Sequence, residues 1–450
     1  MTARRVERLF DLPGGVRESL IQQARDRRSG VEGEPDSQAA GSGMHEEAPE
    51  EMARLSHHPG VRSLMLQRSV AQALKLEEPF YRVHEMRAGN TTRIAGREVI
   101  NFSSYDYLGL NQDPRVGEAA KRAIDDFGTS VSASRLVGGE RPVHGELEEA
   151  IAAMLGVPAS VCFVSGVVAN MTTLATLVGA RDLVVHDALI HNSVLQGIRL
   201  SGAHRVAFPH NDWEALDRIL AERRSRYERV IVTVEGLYSM DGDVPDLPRF
   251  IEVKRRHGAF LMVDEAHSIG VLGETGKGIG EHFGADPSEV DIWMGTLSKT
   301  LSGCGGYIAG ERALTDLLRY TAPGLVFSVG LSPALAAASL ESLRLMQREP
   351  ERVRTLRERS RLFHALARQR GIPLGDSAGF AVIPVVVGDS LKTLRLAETL
   401  LERGVHVPPA IPPGVEPARS RLRFFVNATH SEEQIRRAVD ALAEGLRELE

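Results

Sequence analysis

Between residues 114 and 320 the chain alternates amphipathic, charge-rich stretches with short apolar runs, notably SVCFV, DLVVH, RVIVTVE, FLMVDE and DIWMGT. Short apolar runs bounded by turn residues read as strands buried on both faces, and their alternation with helical stretches predicts a mainly parallel sheet covered by helices on each side. After Pro333 the texture changes to long Arg/Leu helices, two strand candidates (FAVIPVVV and RLRFFV) and a final helix with Ser431 and Gln434 spaced for a capping box. This region reads as a smaller α+β domain. Upstream, VRSLMLQRSVAQAL has a helical pattern, and Val99-Ile100-Asn101-Phe102 reads as a short strand entering a Tyr105-Asp106-Tyr107 turn. Residues 30–52 are rich in Gly, Glu, Pro and Ser with almost nothing apolar, so burial cannot offset their ordering entropy and a flexible linker is expected. Residues 16–28 have helix-forming composition but a weak apolar face. The expected division is an extension over 1–60, an N-terminal segment over 61–113, a large domain over 114–325 and a small domain over 326–450.

A chain of 450 residues has room for two cores. With 54 Lys+Arg against 60 Asp+Glu the net charge is −6, which excludes the basic footprint that phosphate neutralisation requires, so no nucleic-acid partner is expected. The only cysteines, Cys162 and Cys304, exclude a disulfide framework and a four-cysteine zinc site and suit a reducing compartment. No apolar run approaches the ~20 residues that cross a bilayer, and the first residues lack the apolar core of a secretory signal. A cytoplasmic protein without a membrane span is the expectation.

In open α/β sheets ligands collect at the carboxyl ends of the strands, so polar residues directly after apolar runs are the candidates. FLMV runs into Asp264-Glu265-Ala266-His267, which puts a carboxylate where it could pair with a buried cation such as a pyridinium nitrogen; His267 could reach the phenolic oxygen of the same ring. The plain alternative for Asp264 is a helix N-cap. The next run, DIWMGT, ends in Thr296-Leu297-Ser298-Lys299 before a Gly-rich turn. Partial desolvation there would depress the ammonium pKa and free a Schiff-base amine, with Thr296 and Ser298 offering hydroxyls to a phosphate. The alternative is a turn lysine flanked by capping hydroxyls. SVCFV leads into Ser165-Gly166-Val167, a small-residue turn opening a helix whose N–H groups could bind phosphate; tight turns also require Gly for steric reasons alone. His191, after DLVVH, could stack on a flat ring, or be simply hydrogen-bonded structure.

Rival motifs fail. Gly273-Glu274-Thr275-Gly276-Lys277-Gly278 has the wrong Gly-to-Lys spacing for a nucleotide P-loop, and Gly278 stands where Ser or Thr should follow the lysine. His186 and His191 are not at zinc-ligand spacing, so no metal is expected.

Taken together, the ordered blocks Tyr107-Leu108-Gly109-Leu110, Ser134-Arg135-Leu136, Glu235 through Asp243 (EGLYSMDGD), Asp264-Glu265-Ala266-His267-Ser268 and Gly295-Thr296-Leu297-Ser298-Lys299 resemble the α-oxoamine synthases. The resemblance runs from about residue 101 to the C-terminus. It implies a fold-type I pyridoxal 5′-phosphate (PLP) enzyme, a homodimer with the active site at the subunit interface. It assigns Lys299 to the Schiff base, Asp264 to the pyridine nitrogen, His191 to ring stacking, and His267 with Ser239 to the phenolic oxygen. Gly166, Val167 and Thr296 would cradle the phosphate, with Ser298 beside them and Ser328 reaching in from the other subunit. Arg423 would bind the amino-acid carboxylate, as suits a bidentate guanidinium; the alternative is a surface arginine beside Arg419 and Arg421. The implied reaction is decarboxylative condensation of a small amino acid with an acyl thioester, Lys299 acting as base and His191 polarising the acyl carbonyl or orienting the carboxylate.

The sequence departs from the family pattern in two places. The Arg-Pro-Pro-Thr-like loop appears as Val407-Pro408-Pro409-Ala410-Ile411-Pro412-Pro413, without the arginine, and the N-terminal extension is long, which leaves coenzyme A and acyl-carrier protein both open as acyl donors. Phe102 through Tyr107 looks like the serine palmitoyltransferase version, with Tyr105 a substrate contact, so serine leads over glycine and alanine. Asp106 replaces the usual asparagine, either altering substrate choice or capping the turn. The other readings are a different fold-type I reaction, transamination or aldol cleavage, and a non-catalytic partner subunit.

Overall fold

The computed structural model describes residues 50–73 and 77–449. The helix expected over 16–28 and most of the linker expected over 30–52 lie outside them. Two compact units divide the chain, 1–70 and 71–450. Among its described residues the first holds two short 3-10 turns, Glu50–Ala53 and Leu55–His57, and most of the helix Pro59–Ala73, close to where the sequence pattern places it.

In the second unit, strands β1 (Thr91–Ile94) and β2 (Arg97–Asn101) form a hairpin. The large sheet follows with β3 (Ala159–Phe163), β4 (Leu183–Asp187), β5 (His204–Phe208), β6 (Val230–Glu235), β7 (Phe260–Asp264), β8 (Ile292–Thr296) and β9 (Gly306–Gly310). Its order is β3-β9-β8-β7-β6-β4-β5, parallel except for β9, which runs against both neighbours. The expected mainly parallel sheet is therefore present. The side-chain period of two divides its residues cleanly. Val185, Val232, Val263 and Trp293 face one core. Val184, Ile231, Met262, Ile292 and Met294 face the other.

Toward the C-terminus, β10 (Val382–Val386), β12 (Pro409–Ala410) and β13 (Arg421–Phe425) form an antiparallel sheet with β13 central, while β11 (Val405–His406) pairs with β2. The proline-rich departure thus supplies the edge strand β12, where proline costs no ladder bond on the open side. The final helix, Glu432–Glu448, opens with the expected reciprocal Ser431/Gln434 capping box. Phe424, Val426, Ile435 and Leu442 belong to the same core as Val232 and Leu261, so the C-terminal sheet shares one apolar interior with that face of the large sheet.

Candidate active site

Parallel strands end on a common edge, and here that edge carries the polar residues. In register, Glu235 at the end of β6 sits opposite Asp264 at the end of β7. Asp264 is buried, and both its oxygens accept from N–H donors: Oδ1 from Ala266 N at 3.0 Å and Oδ2 from Asn170 Nδ2 at 2.9 Å. The helix-cap alternative fails, because Asp264 enters a turn and the next helix starts only at Ile279. Asn170, on the helix Gly166–Leu177, also donates to Ser193 Oγ at 2.9 Å. That hydroxyl lies 2.7 Å from His191 Nδ1, which additionally accepts Ser193 N–H at 3.2 Å. Two donors on Nδ1 fix the tautomer: the proton sits on Nε2 and the imidazole is neutral. Burial pushes the His191 pKa down, and the cations of Lys299 and Arg423 lower it further against the pull of Asp264. His191 therefore both caps the helix Asn192–Ser201 and keeps an N–H to offer.

Lys299 follows β8 in a turn tied by Leu297 N to Gly305 O and by Gly303 N to Leu297 O. Burial lowers its pKa to about 8, with Arg423 pushing the same way and Asp264 and Glu235 opposing. Its Nζ lies 5.7 Å from the centre of the Tyr105 ring. Tyr105 in turn meets Phe425 edge-on at 4.6 Å and His267 at 5.9 Å, so it forms a wall beside the amine. His267 is buried, and Tyr107 Oη lies 2.7 Å from its Nδ1. Burial, then the charge of Lys299, holds its pKa well below the ordinary value, so a neutral imidazole stands there as well.

Arg421, Arg423 and Phe425 share one face of β13. Arg421 is consumed by structure: Nη1 meets Asp241 Oδ1 at 2.7 Å and Met240 O at 2.9 Å, while Nε donates to Arg419 O. Arg423 donates Nη1 to Ser239 O at 2.9 Å, packs its guanidinium 4.9 Å from the Phe425 ring centre, and keeps a buried Nε with no partner. A buried guanidinium donor without a protein acceptor calls for an anionic ligand. The surface-arginine alternative describes Arg419, which is partly exposed and reaches only Asp241 Oδ1.

Gly166 opens its helix against β8 and β9. A methyl group there would lie 3.3 Å from Thr296 Oγ1, and one on Gly306 would lie 2.5 Å from Gly166 Cα, so glycine at both positions permits this close approach. Val167 N–H donates to the cap residue Ser165. Thr296 Oγ1 and Ser298 Oγ both donate to Gly305 O, knitting the turn that carries Lys299. Ser239 N–H donates to Glu235 Oε2 at 3.3 Å. Ser328 stands apart: its hydroxyl donates to Val329 O, and its turn is tied to Ala133 through Gly330 N–H. Asp106 takes the capping role, accepting from Leu110 N at 2.9 Å and Asn111 N at 3.2 Å. Burial pushes its carboxyl up to about 7 against those bonds.

Sequence reading missed Asn170, Ser193 and Glu235 as members of this group. Glu235 was within reach, being the polar residue that ends the RVIVTVE run. It is buried, its Oε1 has no partner, and burial followed by the charge of Asp264 raises its pKa well above the usual carboxyl range. Asn170 carried a weaker signal, a lone amide in a helix of apolar and threonine residues. Removing the Ser193 hydroxyl tests its part. Ser193→Ala is expected to lower kcat roughly 2- to 10-fold, the worth of one hydrogen bond, with PLP affinity unchanged, as steady-state kinetics and cofactor titration would measure.

A buried carboxylate, a lysine with a depressed pKa, a helix start lined by glycine and threonine, and a partnerless arginine together fit a phosphorylated pyridine aldehyde, and on this scaffold they define a PLP-dependent transferase of fold-type I. The chain belongs to the aminotransferase class I and II family, whose model matches residues 97–442, and within it the chain is an α-oxoamine synthase of acyltransferase type. It is 40% identical over 356 residues to the 8-amino-7-oxononanoate synthase of Symbiobacterium thermophilum, covering 79% of this chain and 90% of the relative. It is 35% identical over 372 residues to the serine palmitoyltransferase of Bacteroides ovatus, covering 83% and 94%. The solved serine palmitoyltransferase of Sphingomonas wittichii matches with a TM-score of 0.84 at 31% identity, over 88% of this chain and 99% of that one. A serine palmitoyltransferase structure with PLP as internal aldimine gives the same TM-score at 28% identity. No helix among the described residues is long and apolar enough to cross a membrane.

Proposed function

We propose that the protein condenses a small amino acid, serine ahead of glycine and alanine, with an acyl thioester, releasing carbon dioxide and free thiol. The observation that carries this reading is Arg423, a guanidinium with a buried unpartnered donor whose charge acts on both Lys299 and His191. PLP, when bound, supplies an electron-withdrawing ring conjugated to the amino-acid nitrogen, which makes the α-carbon acidic. Asp264 would anchor the protonated ring nitrogen, and His191 would lie against the ring. His267 and Ser239 would border the phenolic oxygen, while Gly166, Val167, Thr296 and Ser298, with Ser328 of the partner subunit, would hold the phosphate. Arg423 grips the substrate carboxylate. Lys299, with its amine largely neutral above pH 8, removes the α-proton. The α-carbon then bonds to the acyl carbonyl carbon, the thiolate departs, the carboxylate leaves as carbon dioxide, and the Lys299 ammonium returns the proton. His191 Nε2–H is available to the acyl oxygen while negative charge gathers there. Tyr105 walls the amino-acid side chain.

Homodimerisation is supported by an exposed apolar ledge. Val137, Phe327 and Val329 lie on adjoining segments joined by the Gly330–Ala133 bond, and Val137 and Phe327 are 80% and 85% exposed. Apolar area of this kind, next to Ser328, suits coverage by a second copy that completes the phosphate site. We place the enzyme in the cytoplasm.

Thiol and carbon dioxide release should be measured with serine, glycine and alanine, each against palmitoyl-coenzyme A and a palmitoyl-carrier protein. Release of both products with serine and either donor supports the proposal; release with none of the three amino acids overturns it. Arg423→Lys replaces a planar fork with a point charge, so the amino-acid KM should rise roughly 10- to 100-fold with a smaller change in kcat. An unchanged KM would remove Arg423 from substrate binding.

A further inference from the structure

His210 lies outside every role assigned above. It follows β5, and both its ring nitrogens meet carboxylates: Nδ1 is 2.9 Å from Asp187 Oδ1 and Nε2 is 2.8 Å from Asp243 Oδ2. Two acceptors require two ring N–H donors, so this imidazole is a cation, unlike His191 and His267. Its neighbour Asn211 adopts a left-handed backbone, φ 58°, which asparagine tolerates, and so reaches the same two acids: its N–H donates to Asp187 Oδ2 at 2.8 Å and its amide to Asp243 Oδ2 at 2.7 Å. The Tyr238 ring meets His210 edge-on at 4.5 Å.

The two acids belong to different walls of the active site. Asp187 ends β4 and shapes the turn to His191: its Oδ1 also accepts Leu189 N–H at 2.7 Å, and its carbonyl accepts Ile190 N–H. Asp243 closes the 238–243 loop, where Tyr238 N donates to Asp243 O and Gly242 N to Tyr238 O. That loop presents Ser239 O to Arg423, and Met240 O and Asp241 to Arg421.

We propose that His210 is a positioning residue: as a buried-side cation bridging Asp187 and Asp243, it locks the His191 turn to the loop that holds Arg423, and so sets the spacing between the ring-stacking wall and the carboxylate-binding wall. The inference rests on the reading of His191 and Arg423 as cofactor and substrate contacts. The groups facing His210 are Asp187 from β4, Asp243 and Tyr238 from the loop after β6, and Asn211 on its own loop. Burial pulls the His210 pKa down, but the hydrogen bonds and charges of Asp187 and Asp243 outweigh it and push it up to about 10. In the folded protein the bridge therefore stays charged until pH approaches about 10, while its contribution to folding stability, full below the ordinary histidine pKa, declines from there to about 10. The lock should therefore be insensitive to pH across the neutral range.

Two variants of the full-length protein test this. His210→Ala should weaken PLP binding and raise the amino-acid KM, each by roughly 10- to 100-fold, the scale of losing charge-assisted bonds on both sides. Asp243→Asn keeps the volume but removes one of the two charges that hold the proton. The ratio of its PLP dissociation constant to the parent's should be near one at pH 6.5 and rise toward pH 8.5. If both variants keep the parent's PLP affinity and amino-acid KM at every pH across that range, the proposal fails, even if their cofactor-free melting temperatures fall, because a merely structural bridge would move only stability. Asp243→Asn decides the matter if His210→Ala does not fold. Should Arg423→Lys and Ser193→Ala also leave catalysis untouched, the reading of the two walls falls with it; if those two behave as expected, only the lock falls.

Discussion

Lys299→Ala should leave a protein that binds PLP without a covalent bond and no longer condenses amino acid with thioester. In the proposed reaction the amine serves twice: it would capture the cofactor aldehyde, and it would shuttle the α-proton. Loss of the base alone removes roughly 10²–10⁴-fold in rate, and loss of the covalent hold adds to it. Reduction of the holoenzyme with borohydride followed by peptide mapping should place the cofactor on Lys299 in the parent and nowhere in the variant; label retained at another lysine would overturn the assignment. The lowered pKa adds a kinetic signature. Only the neutral amine attacks an aldehyde, so capture of PLP by the cofactor-free parent should quicken as pH rises and level off above about 8. An unshifted lysine would keep accelerating beyond pH 10. Stopped-flow absorbance separates the two.

How much of this was legible in the sequence follows from which signals are local. The positions of β3, β4, β6, β7 and β8 were readable because these strands are buried on both faces, giving compact apolar runs whose ends present the candidate polar residues, whereas the largely exposed edge strand β5 leaves no such run. Asp264 ends such a run, and Lys299 and His191 follow within a few residues of the ends of β8 and β4, which is what makes them candidates. The antiparallel insertion of β9 between β3 and β8 was not readable, since GYIAG carries no mark of direction. Partnerships across long separations were equally invisible. Arg421 and Arg423 are alike as letters, and only the pairing of Arg421 with Asp241, 180 positions earlier, shows which guanidinium is spent on structure. Asp106 could have been a specificity determinant or a cap by its spacing alone, and the two backbone N–H groups that converge on it decide for the cap. Asn170 and Ser193 lie on different helices, and their contact exists only after both helices pack on the sheet.

That contact makes the effect of Asp264→Asn larger than the loss of one charge. A neutral amide cannot keep the ring nitrogen protonated, which alone costs roughly 10²–10³-fold in kcat, the scale of removing a preorganised electrostatic group. The amide is also mismatched to its neighbours. Asp264 accepts on both oxygens, from Ala266 N–H and from Asn170, so an asparagine there must point its NH2 at one of these donors. The backbone cannot turn away, but Asn170 can: its own Oδ1 is buried without a partner, and rotating the amide would offer that oxygen to the new NH2. The rotation withdraws the donor from Ser193 Oγ, and with it the arrangement that leaves the hydroxyl proton for His191 Nδ1. Damage at Asp264 would thus reach His191 through two side chains. The double variant reads this directly. If the relay operates, Ser193→Ala should lose most of its 2- to 10-fold effect in the Asp264→Asn background, because the bond it removes is already broken; additive losses in kcat would show that Asn170 stays put and that the two sites act independently.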